Sequence, residues 1–320
     1  MLTHLRTARD HTPGWIYTPA VPAFFFTGGY CCGGVATAYH TFCGNKQGGI
    51  PMQTTQKWDG LVWTTRADCP LPGRQNLASV YFSEAALLVG GTSGLPLSNT
   101  DRFDSRQDLW TNLIGLPPPS RFDHCGVATK TAAYMWCGRD GTFGYLRDND
   151  SFSVNTWTTL IDCPAPARAH ASAATANQRL FLFCGNSGAA NLFRTTDEFV
   201  RAANTWIAKN ACPFPARQGQ GCFSFPDQCV LAGGGVPLIS NCDVYSAGSD
   251  SWAASQDLPP PSRQWAGSSS LPNAMAGWIT SGEGDAGVRL PDHDEFNLLF
   301  WVTRTDLPLP FRKLNTSSEA

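Results

Sequence analysis

Short apolar runs alternate with clusters of Gly, Pro, Asn and Ser along nearly the whole chain, and no stretch keeps the 3.6-residue period of an amphipathic helix. FLFCGNSG at residues 181–188 is typical: an alternating apolar strand runs into a tight turn. The runs keep step with a tryptophan at 15, 63, 110, 157, 206, 252 and 301, spaced by 46 to 49 residues. From Trp63 onward each tryptophan is followed by Pro at +7, Pro at +9 and Arg at +11, which gives Arg74, Arg121, Arg168, Arg217, Arg263 and Arg312. Upstream of each of the last six tryptophans an apolar run ends at Gly44, Gly91, Gly138, Gly185, Gly234 or Gly282. A glycine recurring in that slot predicts a left-handed backbone, where a Cβ would be strained. An aromatic residue stands five or seven positions before each tryptophan: Trp58, Phe103, Phe152, Phe199, Tyr245 and Phe296. Each unit therefore reads as four short strands.

A four-strand unit with a turn glycine after its second strand and a tryptophan on its fourth resembles the kelch repeat, and six such units imply an all-β, six-bladed kelch-type β-propeller with four antiparallel strands per blade. The resemblance spans residues 23–312. The family's Gly-Gly pair is intact at Gly90-Gly91 and Gly233-Gly234, becomes Cys-Gly in three units, and is Ser281-Gly282 in the sixth. Seven tryptophan strands are one too many for six blades. The copy around Trp301 keeps the whole motif, whereas the copy around Trp15 has Thr27 in the arginine slot, so Trp301 is expected to complete blade six. Residues 1–22 are then left over as an N-terminal docking segment, and 313–320 form a polar tail.

Composition narrows the partners. A formal net charge of -2 leaves no electrostatic footprint for nucleic acid, and the apolar runs are too short to insert in a membrane. The N-terminus has no apolar core of secretory type, yet the chain holds 12 cysteines. Two columns of the repeat, the residue before the turn glycine and the residue before the first proline, stand at the ends of the second and fourth strands, which in an antiparallel blade lie on the same face of the disc. Both carry cysteine in the same three units, so disulfides are expected between Cys43 and Cys69, Cys137 and Cys163, and Cys184 and Cys212, each closing a loop of roughly 26 to 28 residues. Cys229 and Cys242, flanking a GGGVPL turn, offer a further cross-strand bridge. Cys31, Cys32, Cys125 and Cys222 map to innermost strands, with no pairing assigned.

Catalytic signatures fail on context. GEGDAG at 282–287 sits in a strand-to-strand turn with no helix to receive a pyrophosphate, and neither a G-x-S-x-G elbow nor an H-E-x-x-H pair occurs. Cysteine and histidine spacings do not match zinc sites, so no metal or cofactor is expected. The tryptophans read as blade packing. Two sequons, at Asn149 and Asn315, matter only for an exported chain. For the arginine column the family resemblance implies a place at one mouth of the central channel, where Arg74, Arg121, Arg168, Arg217, Arg263 and Arg312 would trap an acidic peptide or carboxylated ligand. The structural alternative has each arginine pin its own Pro-x-Pro turn or pair with Asp68, Asp162, Asp257 or Asp306, six residues earlier.

Three functions fit. The first is a non-catalytic structural and binding protein of a larger assembly, a disulfide-stabilised bacteriophage virion component in an extracellular setting. The second is a cytoplasmic kelch-like adaptor for acidic peptides. The third, on the family resemblance, is a sialate-type sugar mutarotase, for which no acid/base pair is identifiable at the arginine mouth.

Overall fold

A computed structural model describes residues 31–304 apart from 36–37, 47–49, 60–61, 189–190, 272–275, 286–287, 289, 291 and 298–299. The described chain is an all-β propeller of six four-stranded antiparallel blades, each built from strands consecutive in sequence apart from one two-stranded hairpin (Asn45–Lys46, Ile50–Pro51) inserted in blade one. Blade one comprises Cys31–Val35, Ala38–Phe42, Thr55–Trp58 and Trp63–Arg66. Blade two comprises Ala78–Phe82, Ala85–Val89, Thr100–Asp104 and Leu109–Asn112, and blade three Cys125–Ala128, Ala133–Trp136, Asn149–Ser153 and Thr156–Thr159. Blade four comprises Ser172–Ala176, Arg179–Phe183, Thr196–Val200 and Thr205–Lys209, and blade five Gly221–Ser224, Gln228–Ala232, Cys242–Ser246 and Ser251–Ala254. Blade six comprises Gly267–Leu271, Ala276–Thr280, His293–Asn297 and Phe300–Arg304, so the Trp301 strand completes it as the motif predicts. First strands are innermost, and each touches those of both neighbouring blades, the first and sixth included, so the ring closes.

The core lies between blades. Second strands are sandwiched and read as continuous apolar runs, AALLV in blade two being buried at every residue, while fourth strands form the rim and are largely exposed. Leu180, Leu182 and Phe199 of blade four pack on Val127, Tyr134 and Trp136 of blade three, and each of the junctions from one/two to five/six is filled in the same way. The repeated tryptophan pairs across strands with the repeated aromatic, ring centroids 4.8 Å apart for Phe103–Trp110 and 5.0 Å for Tyr245–Trp252. Its indole N–H reaches back to the preceding blade: Trp110 donates to Ala67 O at 2.8 Å and Trp252 to Asn210 O at 2.9 Å.

The turn glycines are left-handed as expected, with φ from 84° at Gly234 to 122° at Gly282. They also stand against the linker that leads into their own blade: a Cβ on Gly91 would lie 2.6 Å from Gln75 O and one on Gly234 2.5 Å from Gln218 O. The preceding slot is left-handed too, which puts Cys43, Cys137 and Cys184 at φ 56°, 63° and 57°.

The expected disulfides are not formed. The two cysteine columns do meet, and the thiols of Cys43 and Cys69, Cys137 and Cys163, and Cys184 and Cys212 hydrogen-bond to each other, but no S–S bond joins any of the described cysteines. They pack as small hydrophobic groups in the inter-blade cores. Cys229 and Cys242 are misplaced for any bridge. Cys229 pairs with Tyr245 while Cys242 pairs with Ala232, three rows away, and the odd offset turns the two side chains to opposite faces of blade five. Cys125 and Cys222 do lie on innermost strands, as do the backbones of Cys31 and Cys32. Asn149 is fully buried and holds Trp136 Nε1 at 2.8 Å, so the first sequon is closed to glycosylation in the folded protein. Residues 1–22, Arg312, Asn315 and the tail 313–320 lie outside the described residues.

Gly91→Ala is expected to cost about 2–4 kcal/mol, because left-handed strain adds to the carbonyl contact. Gly94→Ala, at φ 104° with open space around it, bears the strain alone and should cost visibly less. Urea unfolding of both variants checks the difference.

Candidate functional site

The arginine column does not form an anion trap at an open mouth. Arg74, Arg121, Arg168, Arg217 and Arg263 are all buried, at most 1% exposed, and each pairs with an aspartate on the third strand of the following blade: Asp101, Asp150, Asp197, Asp243 and Asp294. Arg121 Nη2 lies 2.6 Å from Asp150 and Arg168 Nη1 3.3 Å from Asp197. The partners expected within the same Pro-x-Pro linker, Asp68, Asp162, Asp257 and Asp306, are not used by the described arginines; Arg168 does bond its linker through Pro164 O and Pro166 O, and Arg74 Nη2 reaches Cys69 Sγ at 3.3 Å. The arginine's own backbone belongs to the preceding blade, whose turn glycine donates to its carbonyl, as in Gly44 N to Arg74 O at 2.8 Å and Gly234 N to Arg263 O at 2.8 Å. Each arginine thus rivets one blade to the next. The aspartates stand two residues before the repeated aromatic, a column that carries Asp in five units and Gln56 in the first. Blade one, where Thr27 replaces the arginine, is the blade that lacks the aspartate.

Two residues beyond each rivet the chain turns into the channel. Asn76, Asp123, His170, Gly219 and Trp265 share one left-handed conformation, φ 52° to 60°. They also share one hydrogen-bond pattern, a backbone chain that runs from blade to blade around the mouth: Asp123 N to Asn76 O at 2.9 Å, His170 N to Asp123 O at 3.0 Å, Gly219 N to His170 O at 3.0 Å and Trp265 N to Gly219 O at 2.7 Å. Backbone geometry repeats here while side-chain chemistry does not. The five differ in size, charge and hydrogen-bonding capacity, and four of them help line a cavity of about 140 Å³ at the mouth. That volume matches the roughly 150 Å³ that admits a single ring.

Charge in the cavity is cancelled locally. Asp123 Oδ2 accepts from Arg139 Nε at 2.8 Å and from Arg139 Nη2, and Arg139 is itself held against the Phe122 ring. His170 Nε2 stands 3.4 Å from Asp123 Oδ2. Burial lowers the His170 pKa, Asp123 opposes that and Arg139 adds to it, so the imidazole is neutral near pH 7. The Trp265 indole lies tilted against His170, ring centroids 5.8 Å apart, and it lies there because Gly219 has no side chain: a Cβ on Gly219 would stand 2.5 Å from Trp265 Cδ1. Unpartnered polar atoms remain at this mouth, among them Asp123 Oδ1, Gln220 Oε1 and the Trp265 N–H. Sequence reading missed the ring because it followed the constant column. The signal was the variable position two residues later.

No family model matches the sequence, and no curated protein matches it. Among solved structures, that of YjhT superposes with a TM-score of 0.74 at 15% identity, over 90% of this chain and 99% of that one. The likeness shows the propeller fold alone. Nothing in these comparisons supports a virion component.

Asp101→Ala, which strands the buried Arg74 guanidinium, is expected to cost about 3–5 kcal/mol, whereas Arg74→Met with Asp101→Leu should cost far less than the single change. Chemical denaturation of the three proteins measures this. Acid should weaken the fold before carboxylates titrate. Burial, with help from Lys57 and Arg66, lowers His40 to about 4; burial and then Arg121 lower His124 to about 3; both titrate near 6.5 when unfolded. As pH falls below 6.5 only the unfolded chain takes up these protons, so stability drops by roughly 1.4 kcal/mol per pH unit per histidine down to the folded pKa. Denaturant midpoints between about pH 7 and about pH 5 should show the slope, and His124→Asn should reduce it.

Proposed function

We propose that this protein is a non-catalytic binding propeller whose recognition surface is the channel mouth ringed by Asn76, Asp123, His170, Gly219 and Trp265, and that the mouth admits an uncharged polar group the size of one side chain or one ring. One observation carries the reading: a backbone slot repeated in geometry from blade to blade holds five different residues, whereas the neighbouring arginine slot never changes in the same blades. A constant residue serves architecture; a varied one on a fixed backbone serves selectivity. The preference for an uncharged guest follows from the cancelled charges. Arg139 neutralises Asp123, His170 is neutral, and the five buried arginines are occupied by aspartates. Indole face and N–H, glutamine oxygen and carboxylate oxygen together suit a guest with an apolar side and hydrogen-bonding edges.

The contact between His170 and Asp123 favours one second reading, in which the pair acts as a general base on a bound substrate. Against it, Arg139 holds the same carboxylate oxygen by two donors, which leaves less charge to stabilise an imidazolium.

Saturation-transfer NMR of the whole protein with size-matched neutral amides, methyl glycosides, carboxylates and amines tests the proposal. Neutral compounds should receive saturation and carboxylates should not. Gly219→Ala, which displaces Trp265 without removing a polar group, should abolish the signal. A carboxylate-only profile, or binding that survives in Gly219→Ala, overturns it. Turnover of a bound compound that stops in His170→Gln establishes the enzyme instead.

A further inference from the structure

First strands run from one face of the disc to the other, so their far ends open on the face opposite the ring. There, between blades two and three, a cleft of about 370 Å³ is enclosed by the hairpin ends of both blades. Its walls are apolar: Leu87 and Phe152 are buried at its base, Phe82 meets Phe152 edge to face at 6.3 Å, and Leu113 closes one side. Its rim is cationic. Arg102 and Lys130 line it, and neither has a carboxylate partner among the described residues.

The lip of the cleft is strained. Val154 and Asn155 form the two-residue turn between the third and fourth strands of blade three, with φ 49° and 55°. Asparagine tolerates that conformation, but a β-branched residue there is an outlier that costs on the order of 1–3 kcal/mol. Val154 recovers none of that by burial, since it is 90% exposed. A valine kept in a left-handed turn, bare to solvent and beside an apolar cleft, is placed for contact with something outside the chain.

We propose that this cleft docks a peptide segment of a partner protein in which a large apolar side chain lies next to one or two carboxylates. The apolar side chain enters between Leu113 and Phe152 under Val154, and the carboxylate meets Lys130 and Arg102. The volume exceeds twice the roughly 150 Å³ that takes a benzene ring, so a Leu, Ile or Phe side chain fits with room for backbone. Charge decides the flanking chemistry: two cations without partners, on a chain of net charge -2, form a local complement to an acidic segment. They are too few for an anionic lipid surface, where each basic residue adds only about 1 kcal/mol. The site lies on the other face from the channel mouth and stands apart from the function proposed for that mouth.

The test is selection of a random-peptide library on the immobilised whole protein, followed by fluorescence anisotropy with the consensus peptide. The consensus is expected to pair a large apolar residue with an adjacent Asp or Glu. Its affinity should fall roughly tenfold or more in the Arg102→Glu/Lys130→Glu protein and in Val154→Asn. Val154→Asn should at the same time raise the thermal midpoint by about 2 °C, because the turn is relieved of strain, so lost binding cannot be attributed to misfolding. Gly219→Ala should leave the affinity unchanged. No enrichment over a bare surface, a consensus without carboxylates, or binding within about twofold in both variants would overturn the proposal. So would concentration-dependent self-association that the same substitutions abolish, which would seat a second copy of this chain in the cleft.

Discussion

A guanidinium buried at a blade junction sets the geometry of this wheel. Taking an arginine out of water is costly, and the cost is offset only when a carboxylate and backbone acceptors meet it in good geometry. Here the carboxylate comes from the third strand of one blade and the arginine's backbone from the linker of the blade before it, as with Arg121 between Gly91 N–H and Asp150. A slip of one residue in either blade would strand both charges. The pair therefore specifies register between blades more than it adds stability, and the turn glycines complete the specification, since each donates its N–H to the carbonyl of the arginine that leads into the next blade, Gly138 to Arg168 at 2.9 Å and Gly185 to Arg217 at 3.1 Å.

The exception in blade one obeys the same constraint. Gln56 is 2% exposed, so an aspartate there without its arginine would be a buried and uncompensated charge. In the register of the repeat the first unit carries Thr27 and Gln56 in these two slots, neither of them an ion. That is understandable electrostatically as a choice between a complete pair and none.

What could be read from the chain was whatever repeats in it. Tryptophan, turn glycine and Pro-x-Pro-Arg recur at fixed offsets, and they yielded the blade count and the place of Trp301. The arginine's partner was hidden for a physical reason. Asp101 and Asp150 lie 27 and 29 residues beyond Arg74 and Arg121, across a blade junction, and the distance from aspartate to tryptophan changes with hairpin length while its distance from the aromatic does not. Registering the repeat on the tryptophan blurred that column and drew attention to Asp68 and Asp162 instead. The cysteine columns were correctly brought together, for Cys184 and Cys212 do touch, but proximity in a repeat does not determine whether two thiols are oxidised. For Cys229 and Cys242 the error was one of register, because the GGGVPL turn offsets the two residues by three rows.

The positions that distinguish one blade from the next are the ones whose backbone the scaffold holds most firmly. Around the mouth every residue of the ring from Asp123 to Trp265 donates its N–H to the carbonyl of the one before, and this fixes φ near +55° whatever the side chain. A tryptophan or a histidine would rarely choose that conformation alone. Because the ring of hydrogen bonds and the buried ion pairs behind it bear the cost, side chains at the mouth can change without altering the fold, and Gly219 shows the device used in the other direction, a side chain removed so that a neighbour's indole occupies its place. Val154 is held differently: the two-residue hairpin turn closed by Ser153 and Thr156 sets its φ, as at Ser83-Glu84 and Asn177-Gln178, but its side chain is unburied, so the turn explains the backbone and packing does not explain the valine. Left-handed residues on the two faces of one disc thus differ in what holds their backbone, a ring of hydrogen bonds at the mouth and a hairpin turn at the opposite face, and the exposed valine is the residue choice that its turn does not require.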